Sequence, residues 1–454
     1  LTISQSGITP SFTNNGALTL GASRTMTISG GLYNHNAALS GTGTLALSGL
    51  TAALGVDLTN AGGALTIGSC TVNGPGQLVC ATSKTLLLTA TTVNAPTTNQ
   101  GTLIAHGACP LNGALTTVTG SKLRVDGSSA GAATLTVASG FTNNGTIELT
   151  NSFANQSATL TVTSGTLVNN APGDSINSLA GAGAGARALN ATLDNHGTLS
   201  VGFALSLNRG SAAHFNESDG TIDVSGGDLT ISQSGITPSF TNNGALAIGS
   251  GRTATITAGT ATNASSGIIR GAGTLVVGAT TFTNAGTVSP GASAGILTIN
   301  GADPEGAGAN LNIELGGLAA GAGYDRLVVT GAMTMAGTLN VSLINGFSPA
   351  AGDQFRVVNC GTLIGLPSLT TGLDLGGGLQ LEPRYDATGL TLVVVGQTDE
   401  ADLGRAANID CELIPRDLPA RQRHTRGLAL DEQALFRGTG GGVPVPTCTP
   451  GSSA

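Results

Sequence analysis

The sequence predicts an all-β solenoid. Three observations carry this: short runs alternating apolar and polar residues, Asn/Gly turns between them, and a turn unit that recurs along the chain. With 71 Gly, no Trp and only 3% aromatic residues in 454, a thick core of large side chains is excluded. Hydrophobic residues at 40% and a mean hydropathy of +0.23 exclude a disordered chain as well.

The strands come first. Runs such as Thr-Leu-Ala-Leu, Thr-Ile-Glu-Leu and Thr-Leu-Thr-Val have period two, which gives one inward and one outward face. The turns come next, in a unit of apolar, Thr, Asn, any residue, Gly. It appears at Phe12–Gly16, Leu58–Gly62, Phe141–Gly145, Leu193–Gly197, Phe240–Gly244 and Phe282–Gly286, with a weaker copy at Asn99 and Gly101. Asn and Gly tolerate the positive φ that a sharp corner demands. The marked residues Asn14, Asn60, Asn99, Asn143, Asn195, Asn242 and Asn284 fall 39 to 52 apart, which reads as two coils of about 20 residues each. Stacked in register, their amides are expected to form a ladder, each bonding to the one above. Residues 1–17, LTISQSGITPSFTNNGA, recur verbatim at 229–245.

Residues 1–295 are therefore read as solenoid repeats. Longer alternating runs over 296–396 read as a β-module that closes the solenoid, because an open end exposes unpaired strand edges. Residues 397–454 are a charged, Pro/Gly-rich tail. Asp399 to Arg437 holds 14 of the 42 charged residues, and Leu428–Phe436 is the one stretch that suits a helix. The tail is either a linker or a docking arm. In the second case Arg416, Arg421, Arg423 and Arg426 would meet an acidic surface such as another copy of this chain.

A net charge of −8 and only two lysines, Lys84 and Lys122, argue against a nucleic-acid partner. No apolar run is long enough to span a bilayer as a helix. The chain opens inside a strand-like run, so a targeting segment is expected to have been removed, or the chain to be a fragment. None of the six cysteines has CxxC or Cys/His zinc spacing. The expected bridges are Cys70–Cys80, across a Gly-Pro-Gly turn, and Cys411–Cys448, stapling the tail; free buried thiols are the alternative. Disulfides would fit an oxidising, extracytoplasmic site.

The segments FTNNGTIEL, FTNAGTVSPGASAGILTING and YDRLVVTGAMTMAGTLNVSLINGFSPAAGDQFRVV resemble the passenger regions of bacterial autotransporters and related large surface proteins, best over residues 230–396. The resemblance implies a right-handed parallel β-helix exported to the cell surface, with the 296–396 module near the membrane-proximal end. An autotransporter would continue into a membrane barrel. This sequence holds none, so the barrel is expected either to have been cut away or never to have been present.

Such solenoids also carry polysaccharide-active enzymes, which need clustered carboxylates. The densest acidic group is Glu217, Asp219, Asp223 and Asp228, read here as turn residues; Gly226-Gly227-Asp228 is one partial copy of a calcium-binding repeat. Asp325 and Asp353 read as turn and strand-edge groups. The five histidines are isolated in sequence, and no GxSxG, HExxH or P-loop occurs. The expectation is a non-enzymatic extracellular or cell-surface protein with no catalytic, cofactor or metal site, acting as a stalk or adhesin toward glycans or cells. The alternative is a fibre subunit that self-associates end to end, and the outsider a polysaccharide-active enzyme.

Overall fold

The computed structural model describes residues 1–396, which form one compact unit. The cysteines Cys411 and Cys448, the four tail arginines and the expected helix at 428–436 lie outside the described residues.

The alternating runs become strands, and the strands lie on three faces that the chain visits in fixed order. The first face begins with Thr2–Ser4, Thr25–Ser29 and Thr44–Ser48 and is extended by every later coil to Leu369–Thr371, seventeen parallel strands in all. The second begins with Ser11–Asn14 and Leu32–His35, the third with Leu18–Leu20 and Leu39–Gly41. The described chain is therefore a parallel β-solenoid without a helix. Coil length varies, from the 17 residues separating Thr85 from its partner Thr102 to the 31 separating Thr338 from Leu369. At a strand spacing of about 4.8 Å, seventeen stacked strands span about 75 Å.

Register explains the thin core. On the first face Met26, Leu45, Leu65, Leu86, Leu103, Leu123 and Ile147 lie directly over one another. Ile176, Leu199, Ile222, Leu246, Ile269, Val288, Leu311 and Leu339 continue the column. Every one of them is buried. A slip of one residue in any coil would turn that coil's apolar set outward, so one buried column holds the register of the whole stack. Glycine is obligatory where corners nest: a Cβ on Gly63 would sit 1.9 Å from the Gly43 carbonyl oxygen.

Parallel stacking passes residue 295 without a break and continues to Thr371. What differs at the end is an antiparallel hairpin, Leu379–Asp386 with Gly389–Gly396, whose second strand also pairs antiparallel with Gln354–Gly365.

The two identical 17-residue segments do not occupy the same place on the coil. Thr2–Ser4 belongs to the first face, whereas its copy Leu229–Ser232 belongs to the second; Ser11–Asn14 is on the second face and Ser239–Asn242 on the third. All three faces ask for the same alternation, so sequence specifies a strand but not which face receives it. The loop between the strands keeps its form in both settings. Thr9 and Thr237 each take positive φ before a proline, and Ile8 and Ile236 project to solvent at 97% and 81% exposure.

The expected Cys70–Cys80 bridge is absent: both thiols are free and buried. Gly74-Pro75-Gly76 is a corner between faces rather than a hairpin turn. Cys70 precedes the second-face strand Thr71–Asn73, and Cys80 ends the third-face strand Leu78–Cys80, so the chain diverges between them. Cys109 stacks toward Cys70 with Thr91 between, two coils apart, beyond the reach of a disulfide. Burial raises the thiol pKa of Cys70, Cys80, Cys109 and Cys360. These four cysteines should therefore resist a soluble thiol reagent in the native protein and react after unfolding. Peptide mapping after alkylation with and without urea checks this, and native labelling of Cys70 or Cys80 would contradict the packing.

Candidate functional site

Among the described residues the corner asparagines form a continuous row of buried amides. Asn143 Nδ2 donates to Asn169 Oδ1 at 2.9 Å, Asn169 to Asn195 at 2.8 Å, and Asn195 to Asn216 at 2.8 Å. Asn216 donates to Asn242 at 2.8 Å, Asn242 to Asn263 at 2.9 Å, and Asn263 to Asn284 at 2.9 Å. All seven are buried. An amide offers two donors and an acceptor, so each of the first six rungs bonds the next and also reaches a backbone carbonyl at the corner, as Asn216 does to Ala245. Every amide points the same way, an arrangement in which neighbouring bonds polarise one another.

Asn143, Asn195, Asn242 and Asn284 are thus joined through three rungs that the spacing did not reveal, Asn169, Asn216 and Asn263. Their signal was present but displaced. In Asn216-Glu-Ser-Asp-Gly220 and Asn263-Ala-Ser-Ser-Gly267 the glycine follows four residues after the asparagine instead of two. Asn60 and Asn99 occupy the same corner in earlier coils, but Cys80 and Thr117 hold the rungs between, so they bond backbone instead: Asn60 to Thr85 O and Asn99 to Lys122 O. Asn14 is not on this corner. It pairs with His35 on the second face and donates to Ala37 O, a consequence of the one-face offset of its segment.

A row of donors pointing toward the C-terminal end needs an acceptor to finish it. Asp303 supplies one, its Oδ1 lying 3.1 Å from Asn284 Nδ2. Its Oδ2 has no partner, and neither has Oε1 of Glu305 two residues on. Asp303 is 0% and Glu305 6% exposed. Burial raises Asp303 to about 6; burial and then the charge of Asp303 raise Glu305 to about 8.

The acidic group that stood out in sequence is divided by the fold. Asp223 faces outward on the first face, and Asp228 accepts the Thr253 N–H at 2.9 Å as a corner cap. Glu217 and Asp219 instead join Asp194 and His196. His196 Nδ1 lies 2.9 Å from Asp219 Oδ1, and its Nε2 lies 3.6 Å from Asp194 Oδ1, too far for a hydrogen bond. Asp325 accepts backbone N–H groups from Gly295 and Glu314, clamping two loops; burial raises it to about 7. Asp353 caps Ala350.

Stacking also assembles His106, Asp126 and Ser152. Both His106 Nε2 and Ser152 Oγ contact Asp126 Oδ2, at 3.1 and 2.9 Å. The carboxylate stands between the other two, so the serine is not paired with the imidazole, as a nucleophile–base couple would require. Nearby, Arg187 is buried, bonded to Asn151, Gly185 and Leu179 and lying over the Phe203 ring. Its parity, shared with Leu189, Ala191 and Leu193, marks it as inward-facing in the sequence. Among the described residues no group of three or more His, Cys, Asp or Glu is placed to hold a metal ion.

Two outcomes follow. Asn216→Ala should cost about 1–3 kcal/mol in chemical denaturation because it strands buried partners above and below. Asn36→Ala, which removes an exposed amide pair with Asn15, should stay within about 0.5 kcal/mol. For pH, Asp303 and Glu305 have folded values above their unfolded ones, so the folded state binds more protons. The stability they contribute is complete below about pH 4, where both are protonated even unfolded, and is lost as pH rises through about 6 and then about 8. Tm should be higher at pH 5 than at pH 9, and Glu305→Gln should flatten the upper part of that decline.

No family model matches this chain, and no curated protein matches it.

Proposed function

We propose that the chain is an extracellular structural protein of the autotransporter-passenger type, a stalk or adhesin that presents its faces to glycans or cell surfaces and turns over no external substrate. The observation that carries this reading is the outward row of the first face. Thr25, Thr44, Ala64, Thr85, Thr102, Lys122, Thr146, Ser175, Thr198 and Thr221 stand in register, one per coil. Short hydroxyl side chains on a stiff, evenly spaced lattice suit many weak polar contacts along an extended ligand. Farther along the same face, Arg270, Ser289, Asn312, Glu314, Asn340 and Ser342 line an open polar groove, a setting for saccharide hydroxyls.

Negative-stain microscopy of residues 1–396, with glycan-array binding on the same material, tests the reading. Rods about 75 Å long that bind a glycan class, with binding weakened at least fivefold by Arg270→Ala, are expected. Release of reducing sugar from acidic polysaccharides, or rods that retain no ligand on glycans or cells, would overturn it.

A further inference from the structure

The end of the ladder carries chemistry that its structural role does not use. Asp303 needs only one oxygen to receive Asn284, yet a second, Oδ2, is buried without a partner. The bond that follows is Asp-Pro. Proline nitrogen carries no hydrogen and belongs to a tertiary amide, so on departure it becomes a basic secondary amine. Glu305, on the far side of that bond, has an unpartnered buried Oε1. The Glu305 N–H is shared between the Thr334 carbonyl at 3.1 Å and the Asp303 main-chain carbonyl at 3.2 Å, and the second contact polarises the carbonyl of the Asp-Pro bond. Pro304 itself is exposed, so the segment runs at the surface of the coil while both carboxyls face inward.

We propose that Asp303–Pro304 is a self-cleavage site, in which the free carboxylate oxygen of Asp303 attacks its own main-chain carbonyl carbon and Glu305 protonates the departing Pro304 nitrogen. The C–O bond formed closes a five-membered anhydride as the C–N bond breaks. One water then opens the anhydride, leaving Asp303 as a new C-terminus and returning a proton to Glu305. The sum is hydrolysis of one peptide bond with one water consumed and no change of oxidation state. The nucleophile is tethered to its target, so the first step needs no bimolecular encounter. Asn284 is a positioning residue: by holding Oδ1 it leaves Oδ2 as the attacking atom.

The environment divides the two roles. The register partners around the pair, Asn284, Met333 and Thr334, are uncharged, so each carboxyl has the other as its charged neighbour. Between about pH 6 and about pH 8 Asp303 is ionised while Glu305 retains its proton, the pairing that nucleophile and general acid require. The cleaved ends stay knitted into their neighbouring coils, since Asp303 and Pro304 pair with Met333 and Thr334. A nicked chain would keep its native form.

The test is incubation of the purified full chain at pH 7 with protease inhibitors, read by denaturing mass spectrometry. The expected result is a first-order, concentration-independent split into residues 1–303 and 304–454, with a bell-shaped pH profile and no cleavage in urea. Hydroxylamine should trap Asp303 as a hydroxamate. Asp303→Asn, which preserves the acceptor for Asn284, should slow the split at least tenfold, and Glu305→Gln should slow it at pH 7 with the alkaline limb of the profile removed. An intact bond after several days in folded protein overturns the proposal. So does an equal rate in Asp303→Asn, or one that rises steadily toward acid in folded and unfolded chain alike.

Discussion

Backbone pairing between successive coils is the constraint from which the rest follows. Each coil must set its N–H and C=O groups against those of the coil below, and a parallel stack allows this only while strand directions and registers agree. Once they agree, like residues fall on like. The Met26-to-Leu339 column is apolar because a polar group anywhere in it would lie buried between aliphatic neighbours. The corner column is asparagine because bends leave carbonyls unpaired and an amide can serve the corner and the next rung together. Core and ladder are two answers to one translation.

Stacking explains why so few large side chains suffice. An ordinary core is filled from all sides and rewards bulk; a coil three strands around has room for one or two modest residues per strand, and Ala, Val, Leu and Ile fill it. The few aromatic groups pack within the stack and at its closing end. Phe12 stacks on Tyr33 in the first coils, and Tyr324 and Phe347 pack edge-on against Phe355 beside the closing hairpin. Arg187 is a large charged side chain inside the coil, held by three oxygen acceptors and an aromatic face where loops widen the coil.

Much of this architecture was legible in the sequence because alternation and Asn/Gly corners are local signals. Period-two alternation gave each strand its inward and outward faces, and four of the seven marked asparagines fall on the continuous ladder. What was not legible depended on counting around the coil. The glycine after Asn216 and Asn263 is displaced by two residues, so those rungs escaped a fixed pattern. Cys70 and Cys80 are close in sequence but separated by a corner, and nothing in Gly-Pro-Gly distinguishes a corner from a hairpin. The clusters at His106 and at His196 arise from residues about 20 apart brought together by one coil, a distance that motif spacing does not anticipate. Asp303 ends the ladder with a carboxylate, which is visible only once the direction of the row is known.

The offset between the duplicated segments has a geometrical consequence. Copying by whole coils would leave every duplicate on the same side of the shaft. A copy displaced by one face turns its contents about the long axis, so the Gly-Ile-Thr-Pro knuckle carrying Ile8 emerges at one corner and its twin carrying Ile236 at another. Lengthening such a shaft by fractional coils distributes one protruding element around the circumference, and a single duplication thereby produces two differently oriented copies of the same contact.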